Sequence, residues 1–289
     1  MSGVANNNSN DFVPPPPGEF LGHPKALWNL FGAEFWERFM YYGMRAMLAV
    51  HVAAAFFAHL GDGARAQASL TFGGYTSMVY MTGIAGGFVA DRILGYQRSI
   101  MLGGALMAAG MLMLMSPDLT SFLIGLSIIV VGNGLFKPNI STMVGKLYAP
   151  GDARRDSGFT IFYMGINAGA LIAPIVCASI IGQKYGYRWG FFTAAMGMIL
   201  GLMVFQGLKS WLGHVGTAPE GKKGFGPMLQ VLVAALVLAV PVYFLLSQSE
   251  VLGGLLIVMM LGLVAYFIWS GIQSGEKEQL HRYIAMLIL

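Results

Sequence analysis

Eight apolar runs, at roughly 27–57, 69–90, 99–115, 120–148, 158–182, 189–212, 227–247 and 252–272, constrain this chain more than any other feature. Each is long enough as a helix to cross about 30 Å of hydrocarbon, where the backbone must satisfy its own hydrogen bonds. An all-α membrane protein follows. The composition agrees, with 56% of residues hydrophobic and 10% charged, where a soluble domain carries about 25% charged residues. Forty glycines suit helices that approach closely in lipid. A ninth run begins near Tyr283 and stops at Leu289, an incomplete span that implies a longer polypeptide. Residues 1–22, with Asn6, Asn7, Asn8 and the prolines Pro14, Pro15, Pro16 and Pro17, are expected to form a disordered cytoplasmic tail. No basic segment leading into a short apolar core opens the chain, so no cleavable signal peptide is expected.

Lysine and arginine set the orientation. With the N-terminus in the cytoplasm, Lys25, Arg92, Arg98, Lys146, Arg154, Arg155, Lys209, Lys222, Lys223, Lys277 and Arg282 fall inside, against Arg65, Lys184 and Arg188 outside. Arg38, Arg45 and Lys137 remain within spans. The pI near 9.1 does not indicate nucleic acid, because the basic residues form no stripe or cluster. Cys177 stands alone in an apolar run, which assigns it to packing. His23, His51 and His59 lack metal-ligand spacing, and no nucleophile is set beside a base, so neither metal nor enzymatic chemistry is expected. The stretch 213–226 is the longest polar break after the tail and reads as a cytoplasmic linker. It divides a six-helix bundle at 23–212 from a two-helix insertion at 227–273, which has almost no polar residue at depth and is expected to pack peripherally.

The first run is the exception to this apolar pattern. Glu34, Glu37, Arg38 and Arg45 lie inside it, and each charge at a helix centre costs about 2.5 to 3.5 kcal/mol against about 0.3 to 0.6 returned by a good apolar residue. Such a helix cannot simply face lipid. At 100° per residue, Glu34, Glu37, Arg38, Tyr41 and Arg45 share one face with Tyr42 at its edge. A neutralising staple would explain Glu37 and Arg38. Two carboxylates, two guanidiniums and tyrosines exceed what a staple requires, and opposed neighbours are how a carboxylate becomes a proton carrier. Tyr80, Lys137 and Asn167 each put a polar group into another apolar run; Pro138 after Lys137 is expected to bend or break its helix. Lys137 lies too deep to snorkel with ease, whereas an asparagine such as Asn167 often only bridges helices. Asp91 and Arg92, among Gly86, Gly87 and Gly95, form a candidate conformational latch at the cytoplasmic edge.

Three segments carry a resemblance. Glu34-Phe-Trp-Glu37-Arg38-Phe39-Met-Tyr41-Tyr42-Gly43 resembles the first-helix signature of the proton-dependent oligopeptide transporters, Gly86-Gly-Phe-Val-Ala-Asp91-Arg92-Ile-Leu-Gly95 resembles their loop signature within the major facilitator superfamily, and Phe159-Thr-Ile-Phe162-Tyr163-Met-Gly-Ile-Asn167-Ala-Gly169-Ala-Leu171 is similar to their fifth-helix signature. The likeness covers the chain from about Gly22 to Leu289, and the helix pair resembles an insertion found in bacterial members. The resemblance implies a fourteen-helix carrier whose N-terminal six-helix bundle and insertion are here, with 274–289 starting the C-terminal bundle. It assigns Glu34, Glu37, Arg38 and Lys137 to proton coupling. Arg45 and Lys137 would meet a peptide carboxylate, and Tyr41, Tyr42, Tyr80 and Asn167 would line the peptide pocket.

The expected function is proton-coupled symport of di- and tripeptides across the bacterial inner membrane, by a monomer that needs no cofactor beyond protons and binds no nucleic acid. An exporter of cationic drugs would call for cavity acids without Arg45 and Lys137. A non-transporting scaffold would pair its charges for packing alone.

Overall fold

The computed structural model describes residues 12–219, 221–222 and 224–273. A hairpin of β1 (Glu19–Phe20) and β2 (His23–Pro24) leads into α1 (Lys25–Ala55). There follow α2 (Gly63–Val89), α3 (Tyr96–Met113), α4 (Leu119–Gly145) and α5 (Arg154–Ala173). From Pro174, which has no N–H to give, α5 continues in π-helical register to Gly182 and ends at Tyr185. Next come α6 (Tyr187–Gly207), a short turn at Lys209–Leu212, α7 (Phe225–Ser247) and α8 (Ser249–Gln273).

Each apolar run therefore falls on a helix, yet among the described residues only five helical stretches are long and apolar enough to cross a membrane by composition. They belong to α4, α5, α6, α7 and α8. The first three helices fall short for visible reasons: α1 carries five charged residues, α2 spends places on Gly, Ser, Thr and Tyr, and α3 opens on Tyr96, Gln97 and Arg98. Their polar positions must be covered by neighbouring helices rather than by lipid.

Helix α4 is the hub. Its most apolar window is 72% buried, against 28% in α7 and none in the stretch Gly253–Ser270 of α8. It packs along α2, α3 and α7, while α1 packs against α5 and α6. Where α2 crosses α4, a Cβ on Gly86 would collide with the carbonyl oxygen of Gly134. That carbonyl is the one Pro138 cannot serve, having no N–H. So α4 runs unbroken through Pro138, and the bare backbone of Gly86 closes over the freed oxygen. Thr82 Oγ1 donates to the Val130 carbonyl (3.0 Å) and Asn139 Nδ2 to the Gly86 carbonyl (3.1 Å), stitching the crossing on both sides.

Part of the tail expected to be disordered is held, and the linker packs on the bundle. Within the expected tail, residues 12–22 are fixed: the hairpin turns on Leu21 (φ 52°) and Gly22 (φ 76°), Trp28 Nε1 donates to the Phe20 carbonyl (3.1 Å), and Arg154 Nη1 donates to Glu19 (2.8 Å). Four consecutive prolines stiffen the same stretch and need no partners for their missing N–H groups. The linker docks as well, since Gln97 Nε2 donates to the carbonyls of Gly213 (3.0 Å) and Val215 (2.7 Å) and its backbone N–H to Gly216 (2.9 Å). Residues 1–11, Glu220, Lys223 and 274–289 lie outside the described residues, and with them the start of the C-terminal bundle.

Candidate functional site

The period of α1 brings its charged face against α4. Glu34 and Glu37 are completely buried and Arg38 nearly so. The Arg38 guanidinium forms a two-point ion pair with Glu37, and its Nε also stands 3.3 Å from Glu34 Oε1. From α4, Lys137 Nζ pairs with the same Oε1 of Glu34, and Asn133 Nδ2 donates to Glu37 Oε1 (3.3 Å). Two acids and two bases thus cancel in formal charge. The Glu34 Oε2 atom has no hydrogen-bond partner among the described residues.

This quartet closes one wall of a cavity of about 310 Å3, lined by Arg38, Tyr41, Tyr42, Arg45, Val79, Tyr80, Gly83, Asn133, Lys137, Pro138 and Ser141. That is at the lower end of the range of about 300 to 1,000 Å3 for small-molecule sites. Arg38 lies 5.0 Å over the Tyr41 ring and 5.9 Å over Tyr42, and Arg45 lies 5.4 Å over Phe72, so aromatic faces steady both guanidiniums. Lys137 keeps a third of its side chain exposed to the cavity. Tyr80 is 75% exposed at the margin.

Eight of the residues singled out from sequence, namely Arg38, Tyr41, Tyr42, Arg45, Tyr80, Lys137 and, behind them, the Glu34–Glu37 pair, come together here. Asn167 does not. It lies exposed on α5 and its Nδ2 donates to the Tyr163 carbonyl of its own helix (2.9 Å). Asp91 and Arg92 sit apart at the end of α2, where the Tyr96 hydroxyl donates to Asp91 and Lys222 Nζ donates to the Arg92 carbonyl (2.7 Å). Arg92 therefore meets the linker through its backbone, and its guanidinium lies 5.8 Å over Phe88. Asn133 and Ser141 were missed. Their four-residue spacing about Lys137 puts all three on one helical face, and that was the available signal.

The chain matches the PTR2 family model, described as the POT family, over residues 97–252. It is 39% identical to the di-/tripeptide transporter of Lactococcus lactis subsp. lactis (strain IL1403) over 294 residues, covering 93% of this chain and 58% of that protein. It is 40% identical to the uncharacterized transporter YclF of Bacillus subtilis (strain 168) over 288 residues, with 94% and 58% covered. A crystal structure of a mutant of the peptide transporter POT superposes with a TM-score of 0.73 at 38% identity, covering 93% of this chain and 58% of that one. The chain thus spans rather more than half the length of the proteins it matches.

Proposed function

This chain belongs to the POT family, whose relatives named above are transporters rather than enzymes, and from that premise we propose that it supplies the proton-coupling half of a symporter for di- and tripeptides. The observation that carries the reading is the charge-neutral quartet of the buried Glu34, Glu37 and Arg38 with the half-buried Lys137, opening on a cavity that also holds Arg45. A proton taken up by the carboxylate pair leaves the quartet with one surplus positive charge. Arg38 or Lys137 then has a donor to spare for the cavity, and with Arg45 it attracts the carboxylate end of a peptide. Tyr41, Tyr42, Tyr80, Asn133 and Ser141 supply the remaining polar lining, while Asn167 lies exposed on α5 outside this cavity. Three cations in the lining, Arg38, Arg45 and Lys137, favour a solute with an anionic end over a cationic drug.

The carrier works in the inner membrane with its N-terminus in the cytoplasm, rocking one bundle against another around the midplane site. Each entering proton is worth about 2.3 kcal/mol per 100 mV and about 1.4 kcal/mol per pH unit. Concentrating a peptide a hundredfold needs about 2.7 kcal/mol, so one or two protons suffice. The test is dipeptide uptake into liposomes by the full-length protein. Glu37→Gln is expected to abolish accumulation driven by an inward proton gradient while leaving peptide exchange across the membrane measurable. Proton-driven accumulation surviving in Glu37→Gln would refute Glu37 as part of the carrier.

A further inference from the structure

Behind the charged site, on other faces of α2 and α4, a second cavity of about 280 Å3 lies between these helices and α7. Val89, Ile93, Val131, Leu135, Val231 and Leu238 give it an apolar wall. Its polar lining is small. The Thr82 hydroxyl is already spent on the Val79 and Val130 carbonyls, which leaves Gln230 of α7. A water needs about 10 to 15 Å3 and two to four polar partners to stay in a cavity, and this lining supplies space for many waters but partners for very few. Left empty, the walls would forfeit their dispersion contacts. Ala234 and Leu238 are exposed on the α7 side, so the cavity opens toward the exposed surface of that helix.

The charge at its mouth is distinctive. Val89 and Ile93 lie at the end of α2, where Lys222 Nζ donates to the Arg92 carbonyl (2.7 Å), and Arg98 Nη1 donates to the Gly224 carbonyl (3.0 Å) just before α7 begins. Arg92 and Lys222 are exposed there. Among the described residues the acid nearby is Asp91, which accepts from the Tyr96 hydroxyl. An apolar cleft at membrane depth with a basic rim matches one ligand chemistry, a long hydrocarbon chain bearing a phosphate.

We propose that this cleft binds one acyl chain of an anionic phospholipid from the cytoplasmic leaflet, its phosphate resting against Arg92 and Lys222. The leaflet follows from the topology proposed above. The acyl-chain site itself does not depend on it, nor on peptide transport. The lipid acts as a wedge that holds α7 against the Gly86–Gly134 crossing of α2 and α4.

Native mass spectrometry of the purified full-length protein, titrated with phosphatidylglycerol or phosphatidylcholine in detergent, tests this. One tightly retained phosphatidylglycerol is expected. Arg92→Gln combined with Lys222→Gln should weaken it about thirtyfold, as two basic groups at the membrane surface imply. Ala234→Phe, at an exposed position on the cavity wall, should abolish tight retention of either lipid. Val233→Phe, exposed on α7 but off the cavity, should leave retention unchanged. Should Ala234→Phe not fold, Ala234→Leu narrows the cavity and should lower retention in part. Retention by either Ala234 variant equal to that of the unaltered protein would overturn the site. Equal retention of phosphatidylcholine and phosphatidylglycerol would overturn the preference for an anionic headgroup. Because the readout is lipid binding, failure here and failure of proton-driven uptake in Glu37→Gln are separate results.

Discussion

Lys137 and Arg38 both approach Oε1 of Glu34, and that sharing decides what a single substitution does. Lys137→Met strips one partner from a wholly buried carboxylate, a change that costs about 3 kcal/mol or more. Glu34→Gln with Lys137→Met removes charge from both sides and should restore most of that loss. The measurement is a double-mutant cycle on thermal unfolding midpoints in detergent, and additive effects of the two substitutions would mean that the pair is not coupled. Part of this site is legible from spacing because it is local. A period of 3.6 residues is enough to align Glu34, Glu37, Arg38 and Tyr41. Which acid meets which base is not local. It depends on how α4 lies against α1, and so sequence reasoning could group Lys137 with the acids without choosing Glu34 over Glu37. For a related reason, the four-residue step from Asn133 to Lys137 marks a shared helical face but not the carboxylate of Glu37 that Asn133 reaches at 3.3 Å.

At the scale of elements, the α2–α4 crossing is the tightest contact near the site. Gly86→Ala should destabilise the protein by about 1 to 3 kcal/mol, as overpacking does, because the new methyl meets the rigid Gly134 carbonyl. Gly87→Ala is its control, since a Cβ there meets nothing within 4 Å. Equal unfolding midpoints for the two variants would contradict the close approach. The hairpin makes a different prediction. Hydrogen bonds from the Arg154 guanidinium and backbone hold Asp152 below the usual carboxylate value, and that same guanidinium reaches Glu19. A depressed value in the folded state means stabilisation that is present above the ordinary pKa and lost as pH falls through the folded one. Amide protection in residues 12–24, corrected for the intrinsic pH dependence of exchange, should therefore stay constant from about pH 8 to pH 5 and fall below about pH 4. The existence of the eight helices is legible from their apolar runs. The docking of residues 12–22 and 213–219 is not, because polar and proline-rich stretches reveal their partners only when Arg154 and Gln97 are brought to them by the bundle.

For the molecule as a whole, orientation is the property that every transport step presupposes. The loops that carry most of the basic residues are those between α2 and α3, between α4 and α5, and after α6, and the orientation proposed above has them in the cytoplasm. The opposite loops hold Arg65, Lys184 and Arg188. Cys177 makes a clean test possible: it is fully buried, with its sulfur packed where α1 thins at Gly43, so the unaltered protein should be silent to a membrane-impermeant maleimide. His59 lies exposed between α1 and α2, and Ala153 lies exposed before α5. His59→Cys should label in intact spheroplasts, whereas Ala153→Cys should label only after the membrane is opened. The reverse pattern would invert the protein, and a proton moving down an inward gradient would then meet the quartet from the wrong side. The two sites bracket the candidate cavity, since α1 and α4 run from one toward the other with Glu34, Glu37 and Lys137 well inside both helices. Labelling thus tests in one experiment whether the buried charges stand between two aqueous compartments, as a coupling site must.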